Sequence, residues 1–366
     1  MATPDSIADD LLARLAASPD AYPQKLDLVR EVILFVRFDA ASYRAASFLD
    51  DRILSPATQG AWLPVGRVAE ASRRVTSRRP VHFIFHTGHV GSTLVSRLLD
   101  ETGEVLSLRE PLPLRTLADA HDVLGAPDSL LSPAQFDREL TVFMQLWSRG
   151  YERTQSVVVK ATSSAGRLAV PMLTSNEESR AIYMNVRAEP YLATLLAGQN
   201  SPLDLRGHGP ERIRRLGSRL GTPLAPLHTL SIGELAAMSW LAETLTQRDA
   251  VKRFADRVIA VDFEAFLANV SAGMTNVLGH FALSRDARYL ADVERSPVLE
   301  RYSKAPEYGY TPSVRADVLR DSRRDNRAEI RKGLDWLERL AQSDAAGAEI
   351  VNNVDVVPAN AGTQWR

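Results

Sequence analysis

The sequence predicts an α/β fold, in which a mostly parallel β-sheet is covered by helices on both faces. Short segments rich in β-branched residues alternate with helical patterns, as is typical of parallel sheets. These segments are residues 81–85, 104–108, 156–160, 181–186 and 257–261. The 366 residues are 45% hydrophobic and 24% charged, so the chain can bury the core of one sizeable domain with an attached helical piece.

The amino-terminal segment, residues 5–75, is predicted to be helical. Arg30 and Glu31 fall on one side of a helical projection, and the other side carries Leu26, Val29, Val32, Ile33 and Val36. We therefore divide the chain into an N-terminal helical extension at 1–78, an α/β domain at 79–341 and a tail at 342–366. In the tail the helical pattern fades, and disorder is expected.

A helix is predicted between the second and third strands. Ser132 precedes Pro133, and Gln135 completes a capping box. One apolar stripe follows, formed by Phe136, Leu140, Phe143 and Trp147. The helix is expected to end before Gly150.

The segment 86–94, with the sequence HTGHVGSTL, joins the first predicted strand to a helix. A strand, a glycine-bearing turn and a helix start direct backbone N–H groups at one point, where an anion binds. Ser92 and Thr93 can add hydroxyl donors, and Gly103 is expected to cap the helix at its carboxyl end. The segment is therefore predicted to bind phosphate, which makes the sheet one of the P-loop type flanked by helices. A turn that serves only tight packing is the alternative.

This loop lacks the lysine of nucleoside triphosphatases. In the GxxxxGK[ST] pattern, a lysine directly before the final hydroxyl reaches the β- and γ-phosphates, whereas Gly91 stands directly before Ser92. The shorter pattern, with two hydroxyl residues after one glycine, resembles the 5′-phosphosulfate-binding loop of the sulfotransferase family. Most members carry Lys or Arg at the position of His89. A neutral His89 would donate one hydrogen bond, and a protonated one would supply the missing charge.

Polar residues after the other predicted strands extend this resemblance over residues 80–340. Ligands of open parallel sheets bind at the carboxyl ends of the strands. There the sequence has Arg109-Glu110-Pro111, Lys160-Ala161-Thr162-Ser163, Arg187-Ala188-Glu189-Pro190 and Asp262-Phe263-Glu264. In the family, an arginine ending the fourth strand and a serine further along hold the 3′-phosphate of the donor. Arg187 matches the arginine, and Thr194 is the nearest hydroxyl; a surface ion pair and an ordinary helix position are their alternatives.

The resemblance also implies catalytic roles for Glu110, Lys160 and His89. Glu110 matches a glutamate that takes the acceptor proton in bacterial and tyrosyl-protein members, and Lys160 matches a lysine near the transferred sulfuryl group. Lys160 and His89 would stabilise charge on the bridging oxygen. The alternatives are that Glu110 caps a neighbouring helix and that Lys160 only closes the sheet edge. For Asp262, a helix N-cap is favoured over catalysis.

The implied co-substrate is 3′-phosphoadenosine-5′-phosphosulfate, and no metal is expected. The 5′-phosphate would be held by Gly88, His89, Val90, Gly91, Ser92 and Thr93. A late basic and aromatic segment closes over the nucleotide in the family, so Arg301, Lys304 and Tyr310 are candidates to stack on adenine or contact phosphate. A solvated surface loop is their alternative. The predicted reaction is sulfuryl transfer to a hydroxyl or amine of an unidentified acceptor.

The stretch 201–229 is rich in Gly, Pro and Arg and suggests a lid over a ligand. Its arginines are Arg206, Arg212, Arg214 and Arg215. They indicate an anionic acceptor, or closure over the nucleotide, or, as the favoured interpretation, a solvated helix face.

Two other functions stay open. A small-molecule kinase, or another nucleotide-dependent phosphotransferase, would share the phosphate loop, although the missing lysine argues against it. A nucleotide-binding protein without catalytic activity is also compatible with His89. A zinc site at His82, His86 and His89 is disfavoured because the spacing matches no zinc motif, and there is no GxSxG segment for a serine hydrolase.

Composition and charge limit the partners and the cellular location that are expected for this chain. A formal net charge of −1 gives no overall attraction to nucleic acid, and no stretch approaches the roughly 20 apolar residues of a membrane span. Cysteine is absent, which excludes disulfides and thiolate chemistry and is compatible with a reducing compartment. Residues 1–10 do not resemble a signal peptide. A cytoplasmic location is expected, and a homo-oligomer is left open.

Overall fold

The computed structural model describes residues 4–284, 286–343 and 348. The strands of this part are β1 (Ala21–Asp27), β2 (Val32–Arg37), β3 (Gly60–Pro64), β4 (Val81–His86), β5 (Val105–Arg109), β6 (Ser156–Lys160), β7 (Ala181–Asn185) and β8 (Val258–Asp262). Its α-helices are α1 (Pro4–Arg14), α2 (Ala40–Ala45), α3 (Val65–Ser72), α4 (Ser92–Glu101), α5 (Leu112–Asp122), α6 (Pro133–Trp147), α7 (Ala169–Ser175), α8 (Ala188–Leu196), α9 (Ser201–Gly207), α10 (Gly209–Gly217), α11 (Ile232–Arg253), α12 (Phe263–Ala268), α13 (Val270–His280), α14 (Ala287–Asp292), α15 (Pro312–Asp325) and α16 (Arg327–Ser343).

The central sheet has five parallel strands in the order β5-β6-β4-β7-β8. All five strands predicted for this sheet are present, each within one residue of its predicted ends. Because the strands are parallel, their carboxyl ends meet at one edge of the sheet. The prediction of a P-loop-type parallel sheet flanked by helices is confirmed.

Burial on both faces explains why these strands consist of continuous apolar runs. Every residue of β4 is buried, and its side chains alternate between two hydrophobic clusters. Ile84 belongs to the cluster shared with α4, α8, α11 and α13, whereas Phe83 and Phe85 belong to the cluster shared with α5, α6 and the amino-terminal segment. The central strand is thus fixed from both sides, and with it the position of the loop that follows it.

The amino-terminal segment is not all helical, so that prediction is wrong. Residues 21–64 form an antiparallel sheet in the order β1-β2-β3. Leu26 lies opposite Ile33 in this sheet, and Val29 is 80% exposed at the connecting turn instead of packing with them. Apolar residues at helical spacing can also lie on neighbouring strands. Here cross-strand pairing favours strands over a helix.

Two buried arginines attach the amino-terminal segment to the rest of the molecule. The Arg149 guanidinium donates to the carbonyl oxygens of Leu15, Ser18 and Ala21 at 2.8, 2.8 and 3.0 Å. Arg109 donates to the carbonyls of Tyr43 and Ala46, at 2.9 and 2.6 Å. Residues of β1 and β2 share one hydrophobic cluster with β4 and β6. The domain division at residues 78 and 341 remains a prediction.

The predicted helix at 133–147 is confirmed as α6, with the Ser132–Gln135 capping box in place. The helix expected after Asp262 is instead broken at Asn269, whose side chain accepts from the Ala272 N–H and starts α13. The predicted tail lies outside the described residues except for 342, 343 and 348, of which 342 and 343 belong to α16. In the described part of the chain, no helix is both long enough and apolar enough to cross a membrane.

Candidate functional site

The loop between β4 and α4 has three residues in the left-handed region. Gly88 has φ 106°, His89 φ 54° and Gly91 φ 69°. Gly91 is also the residue before the first turn of α4, and no side chain of the described residues caps that turn. The first N–H groups of a 10-residue helix are therefore available to an anion at the carboxyl edge of the sheet.

Gly91 is required by contact as well as by backbone conformation. A Cβ atom added to it would lie 2.1 Å from Cε2 of Phe263, the first residue of α12. The positive φ disfavours any L side chain in addition. The phosphate loop is therefore packed against the end of β8 with no room for substitution.

A cavity of about 730 Å³ opens in front of this loop. Of the residues predicted to contact the nucleotide, it is lined by His89, Val90, Gly91, Ser92, Thr93, Thr194, Arg301, Lys304 and Tyr310. Gly88 and Arg187 are not among its lining residues. Segments far apart in sequence thus meet around one space of the size and mixed character typical of ligand sites.

The cavity is lined by a hydroxyl without a hydrogen-bond partner among the described residues and by a wall of apolar side chains. Thr93 Oγ1 is buried and has no hydrogen-bond partner among the described residues, so a ligand oxygen could accept from it. The apolar lining includes Phe263, Leu267, Val270, Val298, Leu299 and Val318. Sequence analysis did not identify this wall, although Phe263, Leu267 and Val270 follow the last strand at helical spacing.

The cations around the cavity differ in their partners. Arg315 is held by both carboxylate oxygens of Glu264 and lies 5.0 Å from the centre of the Phe263 ring. Glu294 and Glu300 also line the cavity. Lys304 is half-buried, and among residues 4–284 and 286–343 no carboxylate lies within ion-pair distance of its ammonium. Its charge is therefore the one most available to an anion in the cavity.

His89 is neutral in this environment. His89 is exposed to solvent on the side of the loop that lines the cavity. Desolvation by the surrounding protein and the positive charges of Lys304 and Lys160 lower the pKa of His89 to about 3. The alternative in which a protonated His89 supplies the missing loop charge is not supported by this geometry.

Lys160 and Glu110 form an ion pair beside the loop. Lys160 is fully buried at the end of β6, and the Glu110 side chain, directly after β5, is 13% exposed. Glu110 has φ 54°, and its N–H donates to the Lys160 carbonyl at 2.7 Å, which turns its side chain back toward the lysine. Burial lowers the pKa of Lys160 to about 8, against the opposing effect of Glu110.

A third polar group, His86, lies at the end of β4 close to this pair. Its Nε2 is 2.9 Å from the Ala161 carbonyl, an acceptor, so Nε2 carries the proton. Its buried Nδ1 has no partner among the described residues. Burial and the nearby Lys160 and Lys304 hold the pKa of His86 well below its usual range. His86 is thus a neutral neighbour of the ion pair.

Helix α8 forms one side of the cavity. Arg187 is exposed at its start, and Thr194 lines the cavity while its hydroxyl donates to the Pro190 carbonyl at 2.7 Å. The structure brings Thr194 to the cavity but not Arg187. Asp262 accepts from the Ala265 N–H at 2.8 Å, which confirms its prediction as an N-cap.

The arginines of the 201–229 stretch are divided between surface and interior. Arg206 and Arg214 are exposed, whereas Arg212 is 3% exposed. Arg215 donates to Glu211 at 2.7 Å and to Glu243 at 2.6 Å. For Arg212 and Arg215 the favoured interpretation of a solvated helix face is therefore wrong. Helices α9 and α10 pack on α11, and a lid function for the stretch stays a prediction.

In the described part of the chain, no cluster of three or more His, Asp or Glu side chains could hold a metal ion. No protein-family model and no curated protein matches the sequence. Among solved structures, the chain is similar to a sulfotransferase domain from the curacin biosynthetic pathway, with 13% identity and a TM-score of 0.38 over 63% of this chain and 83% of that one.

Two further solved structures are similar to the chain. A sulfotransferase from Alicyclobacillus acidocaldarius is 15% identical, with a TM-score of 0.36 over 72% of this chain and 95% of that one. A sulfotransferase from Mycobacterium avium is 14% identical, with a TM-score of 0.35 over 87% of this chain and 96% of that one.

Proposed function

We propose that the chain is a sulfotransferase-like enzyme that uses 3′-phosphoadenosine-5′-phosphosulfate and transfers its sulfuryl group to a hydroxyl or amine of an acceptor. One observation carries the proposal. A phosphate loop without the triphosphatase lysine opens onto a cavity, and the Lys160–Glu110 pair lies at the ends of the neighbouring strands. This combination supplies an anion site, a cation and a base at one edge of one sheet.

The residues around the cavity fit a 3′-phosphorylated adenine nucleotide. The N-terminal N–H groups of α4 and the unpartnered Thr93 hydroxyl suit the 5′-phosphate. Tyr310 and the apolar wall, which includes Phe263, suit a planar base. Thr194, on α8, lines the cavity and would donate to a further phosphate by giving up its hydrogen bond to the Pro190 carbonyl, and we assign Arg187 to the same phosphate as a proposal.

The chemistry assigned to the chain needs positioning and charge rather than a covalent intermediate. The donor supplies a sulfuryl group that is activated by its bond to phosphate. Glu110 would accept the proton of the acceptor hydroxyl or amine as the new sulfur–oxygen or sulfur–nitrogen bond forms. Lys160, which is paired with Glu110, would stabilise the negative charge left on the phosphate oxygen. The partial exposure of Glu110 gives an acceptor access to the base.

The proposal is tested by calorimetric titration of the full chain with 3′-phosphoadenosine 5′-phosphate, ADP and Mg-ATP. We expect the 3′-phosphorylated nucleotide to bind at least about tenfold more tightly than ADP, because the 3′-phosphate adds charge-assisted hydrogen bonds. Arg187→Ala should remove most of that preference. Arg253→Ala, which changes an exposed arginine near the end of α11, is the matched control.

The other outcomes separate the alternatives. Preference for Mg-ATP would replace the proposal by a kinase or another phosphotransferase. Binding of none of the three nucleotides would indicate a protein that keeps the fold without the nucleotide. Tight binding of the 3′-phosphorylated nucleotide, followed by no sulfate transfer to any member of a broad panel of phenols, alcohols and amines, would favour a catalytically inactive binding protein.

A further inference from the structure

The phosphate loop has an anion site but no positive charge of its own. His89 occupies the position at which the resembling loops carry Lys or Arg, and desolvation together with the nearby charges of Lys304 and Lys160 lowers the pKa of its ring. Lys160 does not fill this gap, because it is fully buried, is paired with Glu110 and does not line the cavity. The cavity therefore needs a cation from another segment if an anion is to be held strongly.

Lys304 lies where such a cation is needed. It lines the same cavity as His89, and its positive charge lowers the pKa of His89 more than that of Lys160 does. The same charge also lowers the pKa values of His86 and Lys160, so Lys304 lies within electrostatic range of both residues. Within the described residues, no hydrogen-bonding or ion-pair partner is found for its ammonium.

The other two cations of the cavity are less suited to this role. Arg315 is neutralised by its two-point contact with Glu264. Arg301 is exposed, and its charge is not among those that shift the pKa of His89. Among the described residues that line the cavity, Lys304 alone combines a position beside the loop with an uncompensated charge.

The segment that carries Lys304 is fixed to the same helix as the loop. Residues 300–310 form a hairpin, in which the Tyr302 N–H donates to the Tyr308 carbonyl at 2.9 Å and the Tyr310 N–H to the Glu300 carbonyl at 2.8 Å. Arg97, on α4, donates to the carbonyl of Ser303 at 2.8 Å. Since α4 begins at the phosphate loop, one rigid element sets both the anion site and the residue adjacent to Lys304.

We propose that Lys304 takes the place of the missing loop cation and contacts the 5′-phosphate side of the donor, with His89 left as a hydrogen-bond donor. This inference rests on the proposed function. In addition to the charge of Lys160, it assigns a charge that stabilises the departing phosphate to the hairpin 300–310 instead of to the phosphate loop. Donor binding would consequently require this hairpin to be docked on α4.

The test is a charge exchange between positions 89 and 304, read as affinity for 3′-phosphoadenosine 5′-phosphate. Lys304→Met should weaken binding by about 10- to 100-fold, as loss of a charge-assisted hydrogen bond does. Adding His89→Lys to that variant should restore affinity to within about threefold, because the charge returns from the loop side. Arg301→Met, alone and with His89→Lys, is the matched control, and His89→Lys should not compensate a loss caused at Arg301.

A second measurement does not depend on the double variant folding well. The ³¹P signal of the bound 5′-phosphate is titrated with pH in the wild type and in Lys304→Met. Loss of an adjacent cation should raise the phosphate pKa by about one unit. An unchanged phosphate pKa together with wild-type affinity in Lys304→Met would overturn the inference and leave the proposed function intact.

Two further results would also count against the inference. If His89→Lys strengthens binding equally in the wild type, Arg301→Met and Lys304→Met, then the added charge does not replace that of Lys304. If the wild type does not bind the 3′-phosphorylated nucleotide at all, the proposed function fails and the inference fails with it.

Discussion

The buried ammonium of Lys160 and the carboxylate of Glu110 are bound to each other across the ends of β6 and β5. Each group is the main compensation for the other, so removing one leaves the other buried without its counter-charge. Glu110→Gln should therefore destabilise the fold by about 3 kcal/mol at pH 6. The double variant Glu110→Gln/Lys160→Met should recover most of this loss. Urea unfolding of the three proteins measures the effect.

The sign of the pH dependence makes this prediction specific. The pKa of Lys160 is lowered by folding, so above pH 8 the unfolded chain binds more protons at this residue than the native protein does. Stability therefore rises with pH across this range. In Glu110→Gln the pKa of Lys160 falls further. The loss of unfolding free energy relative to the wild type should therefore be smaller at pH 9 than at pH 6. A deficit that is constant between pH 6 and pH 9 would contradict this account.

The loop glycine gives a second prediction. Gly91→Ala places a methyl group on the Phe263 ring at a residue with positive φ. We expect a loss of at least about 2 kcal/mol in unfolding free energy, since core overpacking and left-handed strain add together. Gly66→Ala is the control, because that glycine lies in α3 with no atom within 4 Å of the added Cβ. It should be neutral or stabilising by up to about 1 kcal/mol; equal losses in both variants would refute the role of Phe263.

His82 predicts sensitivity to acid. It is 4% exposed and stacked on Phe281, and burial lowers its pKa to about 4. Between pH 6.5 and 4 the unfolded chain takes up a proton at His82 that the native protein does not, so stability falls as the pH falls. The contribution is up to about 3 kcal/mol over this window.

The variant His82→Gln tests this, because an amide can still accept from the Arg180 N–H as Nδ1 does at 3.2 Å. Urea unfolding at pH 7.5, 6.0 and 5.0 should show a shallower decline for the variant than for the wild type. His228 is exposed, so His228→Gln is the control. Parallel declines for wild type and His82→Gln would show that His82 does not titrate with folding.

Arg149 predicts how the amino-terminal sheet is attached. Its guanidinium is 3% exposed and satisfies carbonyls of three residues before β2. Arg149→Met should cost about 3 kcal/mol or more, because each buried carbonyl left unpaired costs about 1–3 kcal/mol. Limited proteolysis should then cut first within residues 15–37. Arg153→Met, at an exposed position, should leave both the unfolding curve and the cleavage pattern unchanged.

The central sheet could be predicted because its strands are buried on both faces. Burial of this kind leaves continuous apolar runs such as Val157–Val159, which are hard to mistake for surface helices. The strand β2 is not predicted from the sequence, because the apolar residues between 26 and 36 also fit a helical period. Only the pairing of Ile33 with Leu26 and Leu63 excludes the helix. Local pattern alone does not contain that information.

The candidate site was accessible to sequence reasoning only in part. Loop residues and strand-end residues such as Glu110 follow from the rule that ligands bind at the carboxyl edge of a parallel sheet. The ion pair with Lys160 depends on the register of β5 on β6, and the contact of Gly91 with Phe263 depends on how α12 leaves β8. Such contacts between distant segments have no signature in local spacing. The lowered pKa of His89 likewise depends on desolvation and on the charges of Lys304 and Lys160, which are distant from it in sequence.

The contact between Gly91 and Phe263 couples the substitutions that two distant positions of the chain can accept. A residue with a side chain at 91 fits only if residue 263 has no aromatic ring, and an aromatic residue at 263 therefore requires glycine at 91. Among divergent descendants of the same ancestor, a residue other than glycine at 91 should consequently occur only where 263 is not aromatic. Correlated substitution at this pair would distinguish true relatives from chains that share only a glycine-rich turn.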